Sequence, residues 1–425
     1  MLISVKIENF RSIKQPLNLD FNCANKISKK DLPDNIFEIN KSNLVKSIIF
    51  YGRNASGKSN IILALQALSF LVNESDKYKH GERIEPFEPY LFETEMQGKP
   101  IKIEVDFYGI KSKIKYKYSI AFDSNEISEE SLNFYPQGVI TKLYERRQSK
   151  ITYGEQYRGV KNPIESNLLS NQLFLSKSAS MKVMYLDEVY LSLTKHFHID
   201  TRNDEMTGSA VIRFYSEIAM KENFFKKNII KLLQAADTNI IDFDSIETIG
   251  AEVKFKKNVP KKVMNEIKNQ TFFETNTKHK MFEGGREKGF ASLDIYDESL
   301  GTQKLFAIGC MIIDTLSDGG VIVIDELDKG LHPLLTRMLI KLFHSKKNNP
   351  KNAQLIFATH DGTLMDLDLF RRDQICFIEK EYEGYTTITK LSDYTGVRKG
   401  IPLEKWYMSG RFKGIPVIND VELEF

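Results

Sequence analysis

Gly52-Arg53-Asn54-Ala55-Ser56-Gly57-Lys58-Ser59 spells GxxxxGK(S/T) in full, and its flanks give that spelling a structural setting. Before it, Ser47-Ile48-Ile49-Phe50-Tyr51 reads as a short buried strand; after it, Ile61, Leu65, Leu68 and Val72 fall at helical spacing. Strand, glycine loop and helix in that order separate a phosphate-cradling loop from a chance turn. The glycines let successive backbone N–H groups converge on phosphate oxygens, and the helix opening near Lys58 adds the positive end of its dipole. Lys58 is expected to bridge the β- and γ-phosphates of ATP and Ser59 to ligate Mg2+, with Asn60 the next residue lining the site.

Two further strand ends carry polar groups. Val321-Ile322-Val323-Ile324 is an apolar run closed by Asp325-Glu326, which suits a central parallel strand presenting carboxylates at its C-terminal end. Beside a phosphate loop, Asp325 would hold Mg2+ and Glu326 would polarise the attacking water. Gln354-Leu355-Ile356-Phe357-Ala358 ends in Thr359-His360, which brings His360 to the same edge as a sensor of the γ-phosphate. Alone, the acidic pair would be a solvated turn and the histidine structural; the glycine loop changes that balance.

Outward from these motifs, Ile3, Val5 and Ile7, then Leu17, Leu19 and Phe21, alternate with polar residues, predicting two opening strands. Residues 24 to 44 read as a polar connection. From Ile101 to Tyr153 the pattern is strand-like with turns between, predicting an antiparallel sheet. Residues 165 to 245 have helical spacing without sustained heptads, which argues for a helical insertion and against a long coiled coil. The predicted organisation is an N-terminal lobe over 1–160, a mainly helical insertion over 161–290 and a C-terminal lobe over 291–425.

The balance of 60 basic against 57 acidic residues, a net charge of +3, leaves no whole-chain field for nucleic acid or an anionic membrane. The Lys256 to Lys262 cluster could track phosphates of nucleic acid, but lacks the interleaved aromatics that stack bases, so a solvated loop is favoured. Cys23, Cys310 and Cys376 are too scattered for a zinc or redox site and read as reduced thiols. Charges break up the first residues, against a signal peptide, and no run approaches a membrane span. A cytoplasmic protein is expected.

In order, these motifs resemble the ABC ATPases of the SMC, RecF and Rad50 type, and the opening IENFRSIK is similar to the starts of that group. The resemblance implies an α/β core, a phosphate-loop parallel sheet plus an antiparallel β subdomain, interrupted by an insertion. It makes Glu298-Ser299-Leu300-Gly301-Thr302-Gln303 look like the signature motif, with Ser299 and Gly301 capping the γ-phosphate of a second subunit ahead of a helix starting near Thr302. Leu327-Asp328-Lys329 looks like a D-loop, with Asp328 signalling across that dimer. The family's Mg2+-sensing glutamine has no clear equivalent, Gln97 and the acids around Glu88 being weak choices.

Residues 298 to 416 and LLQAADTNI at 232–240 resemble the AbiLi and RloA branch of phage-defence ATPases, related to the OLD and Gabija ATPases. That resemblance implies an ATP-dependent homodimer or higher oligomer that controls a small, separately encoded, nuclease-like effector. Too few residues follow His360 for an appended nuclease domain. Arg371-Arg372-Asp373-Gln374 and the tail from Tyr407 to Pro416 read as a solvated turn and a packed tail, with partner docking as the sharper reading. The competing functions are a DNA-clamping maintenance ATPase and a nucleotide-dependent scaffold with little turnover; a transporter subunit is remote.

Overall fold

The computed structural model of the chain describes residues 1–181, 183–200, 205–249 and 271–415. Chain contacts divide it into two units, one comprising Met1–Thr201, Thr315–Asp328 and Ile340–Phe425, the other Arg202–Asp314 and Lys329–Leu339.

In the first unit β1 (Leu2–Glu8) pairs with β2 (Leu17–Asp20) on one side. On its other side follow β6 (Ile101–Tyr108), β7 (Lys115–Phe122), β8 (Ile127–Tyr135), β9 (Thr141–Arg147) and β10 (Lys150–Tyr153). The result is a seven-stranded antiparallel sheet in the order β10-β9-β8-β7-β6-β1-β2. Its alternation is plain on β6, where Ile101, Ile103, Val105 and Phe107 are buried. On the opposite face Glu104 and Asp106 each pair with a lysine of β7, Lys117 and Lys115, at 2.9 Å.

One buried carboxylate joins this sheet to the segment that follows it. Glu130 of β8 accepts from the Tyr118 and Tyr144 hydroxyls at 2.9 and 2.8 Å. It also accepts the backbone N–H groups of Phe174 and Leu175 at 2.6 and 2.9 Å, the opening of the Phe174–Ser178 helix. Arg146, equally buried, lies 3.9 Å away and donates to the carbonyls of Leu169, Ser170 and Gln172. Residues 169–178 are thereby seated on the antiparallel sheet, so the insertion begins about Arg202 and not at 161.

The second sheet combines β5 (Ser47–Tyr51), β11 (Phe197–Asp200), β15 (Val321–Ile324), β16 (Gln354–Ala358), β17 (Ile375–Lys380) and β18 (Thr386–Lys390). Their order is β11-β15-β16-β5-β17-β18, parallel except for β18. Every residue of β5, β15 and β16 is buried, which is why these strands read as unbroken apolar runs. Register pairs Ile324 with Phe357 and Ala358 with Phe50, so the three strands end at one edge. The Lys58–Glu74 helix leaves that edge and buries Ile61, Leu65, Leu68 and Val72, as its spacing predicts.

The connection expected over 24–44 contains a hairpin, β3 (Ile36–Ile39) with β4 (Ser42–Val45). Its turn residues Asn40 and Lys41 both have positive φ, the geometry of a tight two-residue turn, and asparagine adopts it readily. Arg371-Arg372-Asp373-Gln374 is also not a solvated turn. Arg371 and Asp373 are a fully buried pair at 2.9 Å, and the guanidinium holds the carbonyls of Ser28 and Asp31. The tail packs as expected through residue 415: Tyr407 stacks on Phe377, with centroids 5.7 Å apart. Pro416 lies outside the described residues.

The second unit carries the helices Glu205–Lys221 and Asn223–Ala235 and a three-stranded antiparallel sheet, β12 (Ile240–Ile249), β13 (Thr271–Glu283) and β14 (Arg286–Asp294). It therefore holds a sheet beside the expected helices. Gly284 and Gly285, both at positive φ, turn β13 into β14. These strands escape a reading by alternation because β14 is exposed along almost its whole length and selects no apolar face. The helices Leu300–Asp318 and Pro333–His344 each contribute residues to both units. Lys256 to Lys262 lie outside the described residues. Among those described, no helix is long and apolar enough to cross a membrane, and none forms a long coiled coil.

Candidate nucleotide site

The glycine loop admits no side chain at either end. A Cβ on Gly52 would stand 2.3 Å from the Ile378 carbonyl oxygen and 2.6 Å from Ser56 Oγ. One on Gly57 would stand 2.0 Å from Thr386 Oγ1, and Gly57 has φ 107°, where a Cβ is strained in any case. Ala55 also takes a positive φ, 61°, between exposed Asn54 and buried Ser56. Ser56 Oγ is buried with no hydrogen-bond partner among the described residues. Arg53 reaches back to the Lys380 carbonyl at 3.1 Å.

Lys58 is buried and curls over its own loop, donating to the carbonyls of Gly52 at 2.7 Å and Arg53 at 3.2 Å. Burial lowers its pKa, opposed by the charges of Asp325, Glu326 and Asp328, which face it from the end of β15. Ser59, one residue on, lies beside the Asp325 carboxylate. Burial pushes that carboxyl above the usual aspartate range; the Ser59 hydroxyl and Lys58 counter the rise, while the charge of Glu326 adds to it.

Glu326 follows β15 with φ 51°, a left-handed conformation that turns the chain sharply away from the strand. Asp328 keeps Oδ1 buried without a partner among the described residues. His360 follows β16; burial lowers its pKa first, then Lys58, and the charges of Asp328, Glu326 and Asp325 pull the other way. Lys58, Ser59, Asp325, Glu326, Asp328 and His360 therefore gather at one sheet edge.

Two orphaned polar atoms, a loop closed to side chains and a hydroxyl–carboxylate pair beside a lysine fit a phosphate chain with a divalent cation. Ser59 and Asp325 would hold the cation.

Ser299 and Gly301 belong to the second unit. The helix there starts at Leu300, two residues before the expected Thr302, and the Ser299 hydroxyl accepts the Thr302 N–H at 3.1 Å. Preceding it, the Glu298 carboxylate accepts from Thr277 and bonds His279 Nε2 at 2.7 Å, a tie to β13 that no motif signals. Gln303 donates to the carbonyls of Glu298 and Tyr296.

The weak choices for a Mg2+-sensing residue have other partners. Gln97 is exposed and donates to the Leu91 carbonyl at 2.9 Å. Glu88 pairs with Arg11, whose guanidinium reaches Asn60 Oδ1 at 3.4 Å on the phosphate-loop helix.

Residues 47–366 match the family described as "AAA domain, putative AbiEii toxin, Type IV TA system". The chain belongs to this family. The match starts at β5 and runs past His360, enclosing the phosphate loop, Ser299, Gly301, Asp325, Glu326 and Asp328. The chain is also 22% identical over 364 residues to the "Retron Vc95 probable ATPase" of Vibrio cholerae serotype O1 biovar El Tor, covering 75% of this chain and 66% of that protein. Among solved structures it is similar to an SMC head bound to the C-winged helix domain of ScpA (TM-score 0.43, 13% identity, 92% of this chain and 97% of that one). It is similar as well to the SMC head domain from Thermotoga maritima (TM-score 0.39, 12% identity, 92% and 98%). Both TM-scores are too low to support a functional reading.

Proposed function

We propose that this AAA-domain chain hydrolyses ATP as the regulatory subunit of a phage-defence pair, closing on a second copy of itself to control a separately encoded, nuclease-like effector. The observation that carries the hydrolytic part is the gathering of Lys58, Ser59, Asp325, Glu326 and His360 at one edge.

Lys58 offsets phosphate charge, and Ser59 and Asp325 hold Mg2+, which when bound neutralises the oxygens of the phosphate chain. Glu326, turned out of the strand by its backbone, accepts a proton from the attacking water. His360, whose pKa is lowered by burial and by Lys58, donates a hydrogen bond toward the terminal phosphate. Ser299 and Gly301, at the head of their helix, serve the phosphates of the opposite copy, and Asp328 signals between copies.

The toxin–antitoxin wording of the family and the retron name of the relative support the defence setting. Purification of the chain from its native locus, with and without ATP, tests the pairing. We expect a stoichiometric small protein to accompany it. Recovery of the chain alone would overturn the pairing, and recovery mainly with DNA would replace it with a DNA-clamping role. Absence of Mg2+-dependent ATP turnover would overturn the hydrolytic part.

A further inference from the structure

The opening segment Asn9-Phe10-Arg11-Ser12 matched the starts of a family without a physical reason for its serine. In the structure Ser12 lies beside the glycine loop, beneath the helix it opens. Asn60 Nδ2 donates to Ser12 Oγ at 2.7 Å, Ser12 Oγ and Thr386 Oγ1 are 2.7 Å apart, and Thr386 Oγ1 donates to the Ser56 carbonyl at 2.9 Å. A hydroxyl has one hydrogen to give. That of Thr386 is committed to Ser56, so Thr386 accepts from Ser12, and Ser12 in turn accepts from Asn60. The chain of bonds has one direction, from Asn60 to the Ser56 carbonyl, and each bond polarises the next. Ser12 and Thr386 are 5% and 3% exposed, so water does not compete for these groups. The Thr386 N–H also donates to the Ser12 carbonyl at 2.7 Å, fixing the two backbones together.

The peptide between Ser56 and Gly57 is planar and trans, so its carbonyl and its N–H point in opposite directions. Holding the carbonyl on Thr386 aims the Gly57 N–H away from β18, out of the other side of the loop. There is no slack in the arrangement, since even a methyl group on Gly57 would overlap Thr386.

We infer that Thr386 and Ser12 are positioning residues of the phosphate site, setting the Ser56–Gly57 peptide plane so that the Gly57 N–H donates to a phosphate oxygen. Neither touches the nucleotide. The inference rests on the reading of this loop as the phosphate site.

The test compares wild type, Thr386→Val, Thr386→Ser and Ser12→Ala in Mg2+-ATP turnover and in displacement of a fluorescent ATP analogue by inorganic tripolyphosphate, with thermal melts as the control for folding. Loss of a hydrogen bond to a charged phosphate that is present in both ground and transition states weakens binding without slowing chemistry. Thr386→Val is therefore expected to raise KM for ATP and Kd for tripolyphosphate by about tenfold or more, with kcat within about twofold. Thr386→Ser, which keeps the hydroxyl, restores both constants. Ser12→Ala leaves Thr386 its donor but removes its orienting partner, so a rise of about threefold is expected. Wild-type constants in Thr386→Val, or a Thr386→Ser protein as weak as Thr386→Val, would overturn the inference. Should Thr386→Val fail to fold, unchanged constants in Ser12→Ala decide the matter in the same way. A wild-type chain that bound neither ATP nor tripolyphosphate would instead overturn the reading of the loop.

Discussion

The Ser59 hydroxyl lies beside the Asp325 carboxylate and helps to hold its pKa down, which sets the first turn of the helix after the glycine loop against the tip of β15. The two groups are a hard-oxygen pair waiting on one cation. Asp325→Asn keeps the shape and removes the charge, and the Mg2+ concentration for half-maximal turnover should rise about tenfold or more. A Mg2+ titration at saturating ATP reads this directly; an unshifted midpoint would take Asp325 out of the cation site.

Glu326 and Asp325 are adjacent in sequence but differ in what they should control. Glu326→Gln is expected to bind the fluorescent ATP analogue normally while losing turnover by about a hundredfold or more, the scale of a general base. Single-turnover and equilibrium binding measurements separate the two effects. Turnover at the wild-type rate would show that another group activates water.

His344 is buried and bonded through Nε2 to Ser47 Oγ at 2.8 Å, and burial, with Lys46 beside it, lowers its pKa from 6.5 to about 3. Below pH 6.5 the unfolded chain takes up a proton that the folded chain refuses. Stability therefore falls as pH drops from 6.5 toward 3, approaching about 1.4 kcal/mol per pH unit from this group. His344→Gln removes that slope, so urea unfolding at pH 7.5, 6 and 5 should show a flatter dependence in the variant. Parallel curves would mean that His344 titrates normally in the fold.

Glu130 accepts four hydrogen bonds with Arg146 nearby, all out of water. Glu130→Gln replaces one acceptor oxygen by a donor and strands the arginine, at a cost of about 3 kcal/mol or more, whereas Tyr118→Phe should cost about 1 kcal/mol. Chemical denaturation measures both. Equal losses in the two variants would contradict the central place given to the carboxylate.

The phosphate loop, the β15 carboxylates and His360 could be read from sequence because each is a contiguous run in which an apolar strand hands over to polar residues. Register alone then brings their ends together. Thr386 could not be found that way, since 330 positions separate it from the Ser56 carbonyl it holds. Arg371 and Asp373 misled for the opposite reason: charged residues two apart look solvated until Ser28 and Asp31, more than 300 positions earlier, supply the carbonyls that make burial tolerable. The limits of the insertion were hidden because residues 169–175 are claimed by Glu130 and Arg146, contacts no local pattern encodes.

β11 and β15 are neighbours in hydrogen-bonded register, Phe197 opposite Val321 and Asp200 opposite Ile324. Everything between them in sequence leaves the sheet at the C-terminal end of one strand and rejoins it at the start of its parallel neighbour. Because the closure entropy of such an excursion grows only logarithmically, doubling its length costs about 0.6 kcal/mol. The size and content of that segment can thus change at small entropic cost while β11 and β15 keep their register, which makes this stretch the most freely extended part of the chain.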